Sequence, residues 1–403
     1  MTVRRPTRTR AVLAALVATA AVLLGAGAPA APDSTPEPSA TVSTSSAPGT
    51  ESASATTSPP APAATASPVL VEGLDLHDAT VKKVGSTFYM WGSMYGCGYE
   101  WYSGGSPWCG FGVSTASSLQ GPWTTPKLLF SPTSQDPWSK RSWQETCGAG
   151  NAQGCFNPRM IIRSGWGYDD ATPILWFNSP RHYSDSGANA YNVMGCASLT
   201  GPCGPGAVPN GSYNKPSLQV CSGNGDFGII ERAGARPAIV CSMPGASQLN
   251  LEELNYSGSG GTGTGVRKIA GMSGPIEGPG GWWDETTQRW ILTYSDQGCG
   301  YCAGTPAGYA TAPSLYSGWS APGNVGWGYP EWGRRIFSPN ACGGQPRTVT
   351  TIDGRPWQII DLWIGQRNET AADTLITPLT YSPTTGTPGD GRPWIPPVSF
   401  PCR

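Results

Sequence analysis

From residue 69 onward the apolar positions do not settle into the i, i+3, i+4 spacing of an amphipathic helix over any long stretch. They form short runs bounded by Gly, Asp or Pro, and the runs come in pairs: a strand, a tight turn, then a second strand rich in aromatic residues. Val81–Val84 turns at Gly85 into Thr87–Trp91, and Met160–Ile162 passes a Gly165-Trp166-Gly167 turn into Ile174–Phe177. Gly228–Ile230 turns through Ala233-Gly234 into Ala238–Val240, and Gly281–Trp283 turns over Asp284–Thr287 into Trp290–Tyr294. The fifth pair, Thr348–Thr350 with Trp357–Ile360, turns at Asp353-Gly354. Several pairs are followed by a similar phrase: Ser118-Leu119-Gln120-Gly121, Ser198-Leu199-Thr200-Gly201 and Ser314-Leu315-Tyr316-Ser317-Gly318. A hairpin repeated five times, with the phrase following three of the five, predicts an all-β chain folded as a five-bladed β-propeller, in which each blade packs on its neighbours. A β-sandwich is the competing architecture, and the repeat argues against it.

A propeller gathers the starts of its first strands around one axis, so the residues there share a pocket. In order they are His77-Asp78-Ala79, Asn157-Pro158-Arg159, Gly225-Asp226-Phe227, Glu277-Gly278-Pro279 and Gly344-Gln345-Pro346. Three of the five carry a carboxylate. Glycoside hydrolysis needs one carboxylic acid to protonate the leaving oxygen and one carboxylate to activate water or attack the sugar. Asp78 and Glu277, on non-adjacent blades, are the expected pair. Asp226, on the blade before Glu277, is placed to raise the pKa of that acid by like-charge repulsion. Each of the three, taken alone, also reads as a turn residue beside Gly or Pro; their shared position in the repeat favours chemistry.

Composition changes the picture at the N-terminus. Arg4, Arg5, Arg8 and Arg10 precede an apolar run from Ala11 to Leu24 and then Ala28-Pro29-Ala30, the layout of a cleaved export signal over residues 1–30 rather than a membrane anchor. Residues 31–68 are almost all Ala, Ser, Thr and Pro, a composition expected to form an extended, disordered linker. Residues 69–403 remain for the folded domain. All 12 cysteines lie in it, and export to an oxidising space predicts up to six disulfides, Cys147 with Cys155 and Cys196 with Cys203 being plausible close pairs. Cys299-Gly300-Tyr301-Cys302 is too little for zinc in a chain with two histidines, His77 and His182.

A net charge of −1, with no basic cluster in the folded part, leaves no footprint for nucleic acid or an anionic membrane. Trp and Tyr, 17 and 15 against 8 Phe, favour amphipathic rings and an uncharged partner such as a poly- or oligosaccharide. No membrane partner is expected after signal cleavage, and the chain is expected to be a monomer. Gly258–Gly263 matches a dinucleotide fingerprint by letters, but no helix pattern follows it, so it reads as a loop.

At this point the sequence resembles glycoside hydrolase family 43. His77-Asp78-Ala79-Thr80 leading to Phe88-Tyr89-Met90-Trp91-Gly92 is similar to the segment that carries the family's base, and Glu277-Gly278-Pro279 with Leu292-Thr293-Tyr294-Ser295 to the one that carries its acid. The cysteine-bearing phrases Tyr95-Gly96-Cys97-Gly98 and Cys342-Gly343-Gly344-Gln345-Pro346 look like a cysteine-rich branch of it. The resemblance covers essentially the whole folded part. It implies a five-bladed propeller acting with inversion on arabinose-, xylose- or galactose-containing polysaccharide, with Asp78 as base, Glu277 as acid and Asp226 as modulator. His77, Trp91, Asn157, Arg159 and Gln345 are the expected substrate contacts, although a hydrogen-bonded polar group of the core is an equal reading for the departures from the family pattern, and the favoured one for Asn157. Where many relatives have a metal-holding His in the fifth blade this chain has Gln345, so neither a metal nor any other cofactor is expected. The rival readings are a catalytically silent carbohydrate-binding or cell-wall propeller and a surface protein on a stalk.

Overall fold

The computed structural model describes residues 66–403 apart from 102, 149–153, 164–169, 180–189, 210–212, 219, 223–224, 243–247, 264–266, 270–275, 297–300, 321–335 and 384–396. The export signal, most of the linker, the Gly165-Trp166-Gly167 turn, His182 and Cys299 lie outside the described residues.

Four sheets are built from consecutive strands. Blade 1 comprises His77–Val84, Thr87–Ser93, Phe111–Ala116 and Lys127–Leu128; blade 2 comprises Phe156–Ile162, Pro173–Ser179, Ala190–Gly195 and Lys215–Leu218. Blade 3 runs Phe227–Ile230, Ala238–Ser242, Leu249–Glu253 and Arg267–Ile269, and blade 4 runs Ile276–Asp284, Arg289–Asp296, Ala307–Ala312 and Ile336–Ser338. Blade 5 supplies Gln345–Ile352, Arg355–Leu362 and Asp373–Pro378 but takes its outermost strand, Val69–Val71, from the other end of the domain, pairing Val69 with Ile376. The first strand of each blade packs on those of its two neighbours, and the fifth returns to the first, so the ring is closed. The five-bladed propeller predicted from the repeat is the observed fold.

All five hairpins fall where the apolar runs put them. Blade 2 shows why. Ile174 and Trp176 enter the cluster shared with Phe227, Ile239 and Cys241 of blade 3, while Leu175 and Phe177 enter the one shared with Trp91, Phe111 and Val113 of blade 1. Successive side chains point to opposite faces, and both faces are covered, so Ile174-Leu175-Trp176-Phe177 reads as a continuous apolar run. Three further clusters fill the remaining seams.

Five disulfides are described: Cys97–Cys109, Cys147–Cys155, Cys196–Cys203, Cys221–Cys241 and Cys342–Cys402. Both close pairs expected from spacing are among them, and Cys302 is disulfide-bonded as well. Gly258–Gly263 is a loop whose Gly258 carbonyl accepts the Trp176 indole N–H at 2.8 Å. Among the described residues no helix is long and apolar enough to cross a membrane. The one α-helix described, Trp143–Gly148, escaped the sequence reading because its six residues are too few to show a period.

Candidate active site

Four of the five first strands begin with a break in register: His77/Thr80, Phe156/Arg159, Glu277/Gly280 and Pro346/Val349. A bulge leaves a residue unpaired and re-aims its side chain. In three blades a residue of the bulge takes a left-handed backbone, Asp78 at φ 52°, Asn157 at φ 56° and Gly278 at φ 56°. Asp, Asn and Gly tolerate that conformation best. Asp78 and Glu277 thus sit in bulges at the starts of their strands, whereas Asp226 immediately precedes the first strand of blade 3, which has no break.

Asp78, Asp226 and Glu277 line one pocket of about 140 Å³, together with Gln345, Arg347, Trp101, Phe156, Tyr301 and Trp363. Arg347 is its electrostatic centre. Its guanidinium pairs with Asp78 Oδ1 through Nη2 and with Asp226 Oδ2 through Nη1 at 3.0 Å. Nη2 also donates to Asn157 Oδ1 at 2.9 Å, and Nε lies 3.8 Å from Asp361 Oδ2. Burial would lower the pKa of this arginine, but Asp226, Asp78 and Asp361 outweigh it and drive it up.

Asp78 Oδ2 faces the Tyr95 hydroxyl at 3.3 Å and Ser93 Oγ at 3.5 Å. Burial, followed by the Asp78 charge, pushes the Tyr95 phenol up, so it stays a donor. The Tyr301 hydroxyl donates to Tyr95 in turn, at 3.2 Å. Asp226 accepts from Asn157 Nδ2 at 2.8 Å and from the Gly278 N–H at 3.2 Å.

Glu277 accepts from Gln345 Nε2 at 3.1 Å, and Gln345 Oε1 accepts the Trp363 indole N–H at 2.7 Å. Its carboxyl is pushed up to about 7, first by burial and then by the Asp226 charge, against the lowering pull of Arg347. The sequence reading anticipated the repulsion from Asp226; desolvation is the larger cause. Asp361 is fully buried, and burial, followed by Asp78, pushes it up to about 6.

Of the five expected substrate contacts, only Gln345 reaches the pocket wall. His77, Trp91, Asn157 and Arg159 are not among the residues lining it, and each is at most 2% exposed. The His77 ring stacks on Tyr95 at 4.8 Å, and its Nε2 lies 3.3 Å from Asp75 Oδ1. Trp91 is part of the core between blades 1 and 2 and donates to the Leu199 carbonyl at 2.8 Å. Asn157 bridges Asp226 to both Arg347 and Arg159. Arg159 lies beneath the pocket, bonded to the carbonyls of Asp78 and Phe227, and burial, followed by the Arg347 charge, pulls its pKa down to about 10.

Arg347, Asp361 and the aromatic wall went unread in the sequence. Arg347 had a signal: Gln345-Pro346-Arg347 repeats the form of Asn157-Pro158-Arg159 at the same point of the unit. Phe156 stands one place before Asn157 in the same unit, but Trp101 and Tyr301 had no such signal because they sit in loops outside the repeat.

No described protein family and no curated protein matches the sequence. Solved structures do match. An exo-β-1,3-galactanase from Phanerochaete chrysosporium with β-1,3-galactotriose is 15% identical over 77% of this chain and 64% of that one, with a TM-score of 0.54. An exo-β-1,3-galactanase from Clostridium thermocellum is 14% identical over 78% and 63%, with a TM-score of 0.53. A β-1,3-galactosidase of glycoside hydrolase family 43 with galactodeoxynojirimycin is 14% identical over 80% and 94%, also at 0.53. The chain thus spans less than two thirds of either galactanase, and at these identities the likeness is one of fold. That fold is the five-bladed propeller of glycoside hydrolase family 43 structures.

Proposed function

We propose that the protein is a secreted, inverting glycoside hydrolase that cleaves glycosidic bonds in arabinose-, xylose- or galactose-containing polysaccharide. The observation that carries this reading is Glu277, a carboxylic acid held protonated up to about pH 7 in the same pocket as Asp78. Glu277 protonates the departing glycosidic oxygen, and Asp78 takes a proton from the water that attacks the anomeric carbon from the opposite face. Asp226 raises the pKa of the acid, and Arg347 fixes Asp78 and Asp226 relative to each other. Both catalytic groups then return to their starting state by proton exchange with solvent. Trp101, Tyr301, Trp363 and Phe156 give the pocket an aromatic lining suited to the C–H face of a sugar.

The pocket is small against the roughly 300–1,000 Å³ of ordinary small-molecule sites, which supports release of one terminal unit. Relatives in fold crystallised with β-1,3-galactotriose and galactodeoxynojirimycin make galactose the first sugar to test. Residues 1–30 are read as the export signal and 31–68 as a linker, placing the propeller outside the cell, where a polysaccharide is met.

The test is incubation with β-1,3-galactan, arabinan and xylan, following released sugar and its anomeric configuration by NMR. Release with inverted configuration, abolished in Asp78→Asn and Glu277→Gln, is expected. Glycan binding without release would replace the hydrolase by a silent binding propeller, and equal release by all three proteins would remove both assigned roles.

A further inference from the structure

Every polar group of Asp78 is held by another residue. Its carboxylate is fixed by Arg347, Tyr95 and Ser93, and its carbonyl oxygen by Arg159. Its backbone N–H donates to Asp361 Oδ2 at 2.9 Å. That last bond addresses a specific problem. Asp78 has φ 52°, a left-handed backbone that non-glycine residues seldom hold. It sits in a bulge where the register slips between His77 and Thr80. A buried N–H in such a place needs an acceptor.

Asp361 acts from outside the pocket. It is fully buried, does not line the cavity, and comes from the second strand of blade 5, across the seam from Asp78. Its other contacts are Thr374 Oγ1 at 3.5 Å and the more distant Arg347 Nε. The same device occurs in blade 4. There the left-handed residue is Gly278, and its N–H donates at 3.2 Å to Asp226 of the preceding blade. In both places a carboxylate from the blade before caps the bulge next to a catalytic side chain.

We propose that Asp361 is a positioning residue: by capping the Asp78 N–H it holds the left-handed bulge and so aims the Asp78 carboxylate at the pocket. The catalytic part of this inference rests on Asp78 acting as the base; the conformational part does not. An offset of about 1 Å in a reacting group can cost about a hundredfold in rate.

Asp361→Ala removes the acceptor, and Asp361→Asn keeps an acceptor oxygen of the same shape. With β-1,3-galactotriose, or arabinotriose or xylotriose where that is the sugar cleaved, Asp361→Ala is expected to lower kcat at least tenfold with KM within about twofold. Asp361→Asn is expected to stay within about threefold of wild type in kcat. A crystal structure of Asp361→Ala is expected to show Asp78 out of the left-handed region. Should the alanine protein not fold, Asp361→Ser, whose hydroxyl is too short to reach the Asp78 N–H, takes its place. Retention of positive φ at Asp78, or equal kcat for the alanine and wild-type proteins, would overturn the proposal, as would an Asn variant as slow as Ala. If instead Asp78→Asn turns over as fast as wild type, the base assignment fails, while the backbone readout still decides the role of Asp361.

Discussion

At the residue scale the site is organised by one guanidinium. Arg347 satisfies Asp78 and Asp226 at once from a side chain only 6% exposed, and a planar fork can do this where the compact ammonium of lysine cannot. Arg347→Lys is therefore expected to lose most of kcat. Arg347→Met, which strands the buried carboxylate of Asp78 and the partly buried one of Asp226, is expected to lower unfolding free energy by about 3–5 kcal/mol, measurable by urea denaturation. As the proposed acid, Glu277 is expected to set the pH response. Its pKa is raised, so the acid carries its proton below about pH 7 and loses it above; turnover is expected to fall as pH rises through that value. Glu277→Gln is expected to lower kcat by about 10²–10⁴ and to abolish this limb in whatever activity remains. Ionising a buried acid also opposes folding. The stabilisation Glu277 gives is complete below the ordinary carboxylate range and is lost as pH rises through about 7, a decline that thermal melts of the Gln variant should lack. The three carboxylates were legible because each opens a repeat unit. Asp361 was not, because it ends an apolar strand and meets Asp78 only across a seam between blades.

At the element scale, legibility follows burial. A strand covered on both faces is apolar throughout, which marks its position but not its neighbours; the pairing of blades came from the repeat. Trp176 shows what the alternation is worth. It is fully buried between blades 2 and 3, with its indole N–H on the Gly258 carbonyl, so Trp176→Ala is expected to cost about 3–5 kcal/mol in a denaturant titration. Trp91 misled for the same reason. An aromatic residue on a second strand is equally well placed for core or pocket in the sequence, and only the direction of its side chain decides between them. The loops were least legible. Trp101 reaches the pocket wall from the segment closed by Cys97–Cys109 and is tied to blade 5 by a backbone bond to the Arg367 carbonyl at 2.9 Å. No local pattern encodes that reach.

At the scale of the whole molecule, the ring is fastened where the two ends of the domain meet. Val69–Val71 completes blade 5, and Cys342–Cys402 ties the chain end to the start of the same blade. A protein beginning at residue 74 lacks that strand and leaves the edge of blade 5 bare. It is expected to melt at a lower temperature than one beginning at residue 64, and to form higher oligomers on size-exclusion chromatography. Equal melting and elution of the two would show that the strand does not fasten the ring.

The strand that closes the ring also sets an order in time. Val69 leaves the ribosome more than three hundred residues before its partner Ile376, and contacts between such distant positions form late. The pocket draws on all five blades, so it cannot exist while the last blade is still being synthesised. A chain halted part-way, in synthesis or in passage across a membrane, carries its first carboxylates without the arginine that organises them. The complete pocket therefore arrives all at once, with the final blade.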